Sequence, residues 1–361
     1  MKVMSRVVFF VLICGIIGYS SDGDSAEEVL IYYGMSDASA AVAVGEEMFV
    51  VADDEDNVLR VYKTNQTCFP VFTYDLTKFL GTTLEYPEAD IEGATMIGDR
   101  IYWITSHGRN RDGKMRPSRY RFFATAVEVQ NRNITIHPIG MPCKTLIHSL
   151  LKAETMRQLG LEGATRFDAA NLTKQERKNL APKKSGLNIE GLCASADGRT
   201  IYIGFRNPRP YSKAIVVPLN NPKQVIEKQE SPIFAEPLLW DLKGCGIRSM
   251  EYSHFHKAYF IVAGPHNEGA VALYRWSGQK DSSPVLVREI LSDKCDFNPE
   301  ALVTFETSAG LLLLSDDGSS VIDVSDASEC MEGKLRKDGK CLNKYLTSGN
   351  KKHFRGVWLQ P

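Results

Sequence analysis

Asp90-Ile-Glu92-Gly-Ala-Thr-Met-Ile-Gly98-Asp99-Arg-Ile-Tyr-Trp-Ile-Thr-Ser106-His107-Gly108 is the clearest copy of a pattern that recurs along the chain. A polar-x-Glu opening leads through a short turn into an apolar strand, and the strand leaves through polar residues. The frame returns at Asn188-Ile-Glu190-Gly, which runs through Asp197-Gly198 into Thr200-Ile-Tyr-Ile-Gly-Phe-Arg206-Asn207. Ser249-Met-Glu251-Tyr leads to Ala258-Tyr-Phe-Ile-Val-Ala-Gly-Pro-His266-Asn267, and Asn298-Pro-Glu300-Ala leads to Leu311-Leu-Leu-Leu-Ser315-Asp316-Asp317. A further copy, Asp37-Ala-Ser39-Ala into Met48-Phe-Val-Val-Ala-Asp53-Asp54-Glu55, has Ser where the others have Glu.

Most copies continue into further strand-like runs: Val58 to Tyr62 and Phe69 to Tyr74, Tyr120 to Val127 and Ile134 to Ile136, Ala214 to Val217 and Gln224 to Ile226, Ala270 to Trp276 and Val285 to Val287. Four short strands per unit, separated by turn residues, is the pattern of a propeller blade. The last unit is one strand short, offering Ala301 to Phe305, Leu311 to Leu314 and Phe354 to Leu359, while Val29-Leu-Ile-Tyr-Tyr33 has no unit of its own. An open sheet edge exposes unpaired backbone groups, so a ring must join its ends. The N-terminal strand is therefore expected to complete the final blade. The fold class is all-β, a single propeller over residues 27–361 with five blades counted; a sixth would have to hide in the insertion 143–185. That insertion breaks the β pattern, since Leu146, Ile147, Leu150, Leu151, Met156 and Leu159 recur at helical spacing and Asn171-Leu-Thr-Lys-Gln-Glu reads as a capped second helix. It is expected to be a helical excursion from the second blade, covering one face of the ring.

The N-terminus carries Lys2 and Arg6, an apolar run from Val7 to Ile17 and small residues before Ser21-Asp22, the pattern of a signal peptide cleaved near Ser20. The apolar run is shorter than the roughly 20 residues that span a bilayer, which argues against an uncleaved anchor. Secretion or a periplasmic location follows, with no membrane association after cleavage. The net charge of -1 recommends no nucleic acid as partner, and the basic run Lys174 to Lys184 lacks the interleaved aromatics of a nucleic-acid surface. A monomer is expected. Of the 8 cysteines, those beyond Cys14 would survive cleavage into an oxidising compartment. Cys330 and Cys341 bracket a short loop that they could close, and Cys193, mid-strand on an apolar stretch, is the choice for a free thiol.

First strands of the blades line a propeller's channel, so Glu92, Glu190, Glu251 and Glu300 are expected to converge. Asp90, Asn188, Ser249 and Asn298, two residues earlier, face the same way because strand side chains alternate. Gathered carboxylates repel and lose solvation, so a positive group is required. A divalent cation, Ca²⁺ above all, would take six to eight oxygens from Glu92, Glu190, Glu251, Glu300, Asp90, Asn188 and Asn298. Arg248 could instead neutralise part of the ring, and a Glu at a fixed blade position can simply brace a neighbouring blade through backbone N–H groups. The second-strand exits form another series, reaching either the far end of the strands or the channel mouth. His107 and His266 occupy matching exits and are the candidate general acid and base; ordinary loop histidines are the competing reading, because no nucleophile pattern accompanies them.

Read together, Ala52-Asp-Asp-Glu-Asp-Asn57, Asp90-Ile-Glu-Gly-Ala94, Tyr102-Trp-Ile-Thr-Ser-His-Gly-Arg109, Leu187-Asn-Ile-Glu-Gly-Leu192, Ile203-Gly-Phe-Arg-Asn-Pro208, Gly246-Ile-Arg-Ser249, Tyr274-Arg-Trp-Ser-Gly278, Leu314-Ser-Asp-Asp-Gly318 and Phe354-Arg-Gly-Val-Trp358 resemble the family catalogued as domain of unknown function 3616. The resemblance runs from Ser36 to Leu359 outside the helical insertion and implies no established activity. More distantly, the Glu-Gly openings look like those of phytase-like and lactonase-like propeller hydrolases, some of which hold calcium in the channel. Two functions stay open: a cation-dependent hydrolase of a phosphate or lactone ester, and a non-catalytic module binding a small-molecule or polymer ligand, with structural glutamates.

Overall fold

Every one of the five openings forms the innermost strand of a four-stranded antiparallel sheet. The computed structural model describes residues 29–361 apart from 131–132, 168–170, 266–268 and 291–296. The expected leader, His266 and Cys295 lie outside the described residues. The inner strands are Ala38–Val44, Ile91–Ile97, Asn188–Ala194, Gly246–Ser253 and Pro299–Thr304. They pack side by side in that order, and the fifth closes on the first. The structure is thus a propeller of five blades. The second strands, such as Arg100–Thr105 and Ala258–Gly264, have blades on both faces. Ala258–Gly264 is buried along its whole length, so it reads as an unbroken apolar run rather than an alternating one.

Closure follows the expectation from sequence. Val29–Tyr33 becomes the outermost strand of the last blade, pairing antiparallel with His353–Leu359 from Val29 opposite Val357 to Tyr33 opposite His353. Tyr32 locks this seam: fully buried, it stacks on Phe354 at 5.0 Å and meets Phe49 of blade one edge-on at 5.2 Å. Its hydroxyl donates to the Thr64 carbonyl at 2.6 Å, so a large apolar ring is buried without an orphaned polar group.

The segment 143–185 holds no sixth blade. Its helices are Leu146–Lys152, Leu161–Thr165 and Lys174–Asn179, with a 3₁₀ turn at Glu154–Leu159. Leu146, Ile147, Leu150, Met156 and Leu159 bury against Ile104 and Phe122 of blade two and Ile189 and Phe205 of blade three. The cap of the last helix is Thr173, two residues beyond Asn171, in a capping box with Glu176. A second insertion lies between the second and third strands of blade five, where Val321–Asp323 pairs with Lys340–Leu342. The Cys330–Cys341 disulfide closes it, while Cys68, Cys143, Cys193 and Cys245 are free, with Cys193 buried. Among the described residues no helix is long and apolar enough to cross a membrane.

Candidate functional site

A β-bulge sits near the start of each inner strand, and it decides what faces the axis. The register steps past Ser39, Glu92, Glu190, Arg248 and Glu300, which makes these the equivalent residues of the five blades. A bulge re-aims its extra residue out of the pleat, and here it aims Glu92, Glu190 and Glu300 toward the channel mouth. Small residues let the strands come this close: a Cβ on Gly191 would meet the Ile247 side chain at 2.7 Å, and one on Gly246 the Arg206 carbonyl at 2.2 Å.

Glu251 therefore does not join Glu92, Glu190 and Glu300. It lies three residues beyond the bulge of its strand and borders the cavity at the opposite end of the channel, with Glu46, Tyr252 and His254. Ser249 is displaced likewise and accepts a backbone hydrogen bond from Leu302 at 3.1 Å. Ser249-Met-Glu251 looks like Asn188-Ile-Glu190 in sequence, but the bulge at Arg248 sets the register, and Arg248 takes the place at the mouth. Burial raises the Glu251 carboxyl to about 8.

The mouth itself is a cavity of about 630 Å³. Asp90, Asn188, Glu92, Glu190 and Glu300 line it, joined by Asp54, Arg206 and Asp316 from the second-strand exits, which turn back over the mouth. Two arginines supply much of the positive charge that the gathered carboxylates require. Arg206 Nη1 donates to Glu190 Oε1 at 2.6 Å, and Arg248 Nη1 reaches Glu300 Oε1 at 3.0 Å and Asn298 Oδ1 at 2.7 Å. Burial lowers the Arg206 pKa, but Glu190, Glu300 and Glu92 outweigh it and hold the guanidinium above its ordinary value. Arg119 pairs with Asp90 at 2.9 Å and with Glu88. Arg206 was legible at a second-strand exit, but not as a neighbour of the glutamates, and Arg119 was not singled out.

Compensation is incomplete at one corner. Asp54, Asp90 and Glu92 place carboxylate oxygens within 4.8 Å of one another. Burial, reinforced by Asp90, Glu190 and Glu300, pushes Glu92 well above its ordinary pKa; burial with Asp37, Glu92, Asp53 and Asp90 does the same to Asp54. Asp90 rises by burial to about 6 although Arg119 pulls it down, and Glu300 rises to about 7 although Arg248 opposes it. Asp37, also buried and sharing a hydrogen bond with Asp316, is raised to about 10. Among the described residues three buried oxygens at this mouth have no hydrogen-bond partner: Asp54 Oδ1, Glu190 Oε2 and Asn188 Oδ1. Orphaned buried acceptors are costly and call for a cation or a proton. Asn188 donates through Nδ2 to Glu190 Oε1 at 2.7 Å, which leaves its buried carbonyl oxygen as an acceptor without a donor among the described residues.

His107 is enclosed rather than at the mouth. Its Nδ1 lies 2.8 Å from the Thr105 carbonyl, its ring meets Tyr120 edge-on at 5.7 Å, and burial lowers its pKa to about 4. It is neutral near pH 7, with Nε2 buried and unpartnered.

The sequence model of a family described as protein of unknown function (DUF3616) matches residues 37–320. No curated protein matches the chain. Among solved structures, glutaminyl cyclase of Myxococcus xanthus is 10% identical, with 79% of this chain and 88% of that chain covered at a TM-score of 0.41. The PQQ-bound aldose sugar dehydrogenase of Streptomyces coelicolor is 8% identical, with 92% and 99% covered at 0.38. A protein of unknown function from Bacteroides thetaiotaomicron is 9% identical, with 92% and 76% covered at 0.40. At these scores none carries an argument about chemistry.

Proposed function

The chain belongs to the DUF3616 family, and from the geometry of its channel mouth we propose that it is an exported propeller that binds a divalent cation, calcium by preference, and uses it to hydrolyse an ester. The observation that carries this reading is the corner where carboxylate oxygens of Asp54, Asp90 and Glu92 lie within 4.8 Å of one another, in a cavity that Glu190 and Asn188 also line with buried oxygens lacking a partner among the described residues. An all-oxygen set of carboxylates and an amide carbonyl suits a hard ion. Asp54, Asp90 and Glu92 would hold it, with Asn188 Oδ1 at the margin. The bound ion supplies Lewis-acid polarisation of an ester oxygen. Glu190 is the general base in this proposal: Arg206 and Asn188 fix its Oε1, and Oε2 is left to accept a proton from water. The enclosure of His107 speaks against the acid or base role expected of it.

Melting curves with chelator and with added CaCl₂ or MgCl₂ test the cation. At a hundredfold excess over Kd a ligand of the folded state stabilises by about 2.7 kcal/mol. Glu92→Gln and Asp54→Asn should abolish the calcium shift, and Glu251→Gln should retain it. Absence of any shift in the unmodified protein sinks the proposal. A screen of phosphate and lactone esters with and without calcium then decides the hydrolysis.

A second reading has its own observation. The Arg206–Glu190 pair ties two strands of blade three, and the Arg248–Glu300 pair ties blade four to blade five. If bracing is the whole role of these glutamates, in a module that binds a ligand without turning it over, Glu190→Gln lowers stability equally with and without metal.

A further inference from the structure

The charges around the mouth are not mixed evenly. Arg119, Arg206 and Lys344 are engaged in ion pairs with Asp90, Glu190 and Glu55. Four other cations line the same cavity and have no ion-pair partner among the described residues: Arg111, Arg116, Lys183 and Lys184. All four stand on the blade-two and blade-three side. They come from the loop that follows His107 and from the last residues of the helical insertion.

This rim is held in place. Asn207 Nδ2, at the end of a blade-three strand, donates to the Pro182 carbonyl at 2.6 Å and to that of Lys184 at 3.4 Å. Gly113 lies so close to the insertion that a Cβ there would fall 1.6 Å from the Arg177 carbonyl oxygen, and its φ of 72° also favours glycine. Arg109 bridges the same two segments, donating to the carbonyls of Gly113 and Thr165 at 3.1 and 3.0 Å. The loop carrying Arg111 and Arg116 is thus fastened to the segment carrying Lys183 and Lys184.

The buried carboxylates Asp90 and Glu190 lie deep in the cavity; at its edge, on the blade-two and blade-three side, these four bases outnumber the one acid of their loop, Asp112. A neutral ester gains nothing from those bases. A ligand with two negative charges would meet them while one of its oxygens faced the floor. We infer that the mouth selects a phosphorylated substrate, a phosphate monoester dianion, over a lactone or a neutral ester, with Arg111, Arg116, Lys183 and Lys184 as its anion-binding rim. The inference rests on the cation-binding reading, because without an ion on the floor Glu92 and Asp54 would repel the same ligand.

The test uses the full chain with saturating CaCl₂ and phenyl phosphate as probe, followed by calorimetry. Phenyl sulfate and phenyl acetate serve as the monoanionic and neutral controls. Phenyl phosphate should bind more tightly than either, and its affinity should fall as NaCl screens the rim. Lys183→Glu/Lys184→Glu, on exposed positions, should weaken it about tenfold or more, as expected for reversing charges that face an anion. The calcium-induced melting shift of the variant, which reports the floor alone, should match that of the unmodified protein. Unchanged phenyl phosphate affinity in the variant, or equal binding of phenyl acetate, overturns the rim while leaving the cation site standing. Loss of the calcium shift from the unmodified protein overturns both.

Discussion

Replacing Arg206 by methionine tests the electrostatic design of the mouth most directly. Arg206 is 8% exposed, Glu190 is 5% exposed, and the two meet at 2.6 Å. At that distance and an effective dielectric constant of about 20, the gross attraction is on the order of 6 kcal/mol. Desolvation of both charges offsets much of this when the pair forms. Removing one partner is different, because it leaves the other buried and uncompensated, and costs about 3–5 kcal/mol. With roughly 2.1 cal/mol/K of unfolding entropy per residue over about 330 residues, that loss lowers Tm by about 4–7 °C. Chemical denaturation with CD detection in chelator measures it. Calcium gives a second readout: with Arg206 gone, Glu92, Glu190 and Glu300 face each other with less opposing charge, so added CaCl₂ should raise the variant's Tm by more than the parent's. The double variant Arg206→Met/Glu190→Leu should recover most of the loss, since a buried pair replaced by apolar residues is often neutral. A single-variant cost below about 1 kcal/mol, with no gain in calcium response, refutes the claim that Arg206 balances the carboxylates.

Glu251 offers a pH test away from the cation corner. Its folded-state pKa is raised to about 8 from 4.5, so the native state holds the proton more tightly than the unfolded chain does. Its contribution is full below about pH 4.5 and is lost as pH rises through 8; Glu251→Gln should flatten that decline, by on the order of 5 kcal/mol between the two limits, in urea titrations across the range. Tyr32→Ala empties the closing seam and should cost about 3–5 kcal/mol by denaturation, with hydrogen exchange rising first in the strand 353–359 that Tyr32 covers. Cys330→Ser/Cys341→Ser opens a loop of sequence separation 11 and should cost the second insertion roughly 2–3 kcal/mol, seen as proteolysis within 324–345 while the blades stay resistant.

The blade rhythm, the helical insertion and the pairing of Val29–Tyr33 with the final blade could all be read along the chain. Each depends on local pattern: strand-length apolar runs, helical spacing, and an N-terminal strand left without a unit. The Cys330–Cys341 bridge was legible for a similar reason, as two cysteines around a short loop. Glu251 shows where such reading stops. A bulge shifts the strand by one residue relative to its partner, and that shift, not the Ser-Met-Glu spelling, gave the place at the mouth to Arg248. Asp54 and Arg206 entered the mouth because antiparallel hairpins return each exit to the level of its neighbour's opening, and nothing in their own sequence context states which carboxylate they will face. Periodicity and turns dictate the kind of element at each point and the order of blades, and both are local. Which charges meet around the axis was decided by register and by closure of the ring, because both depend on contacts between residues far apart along the chain.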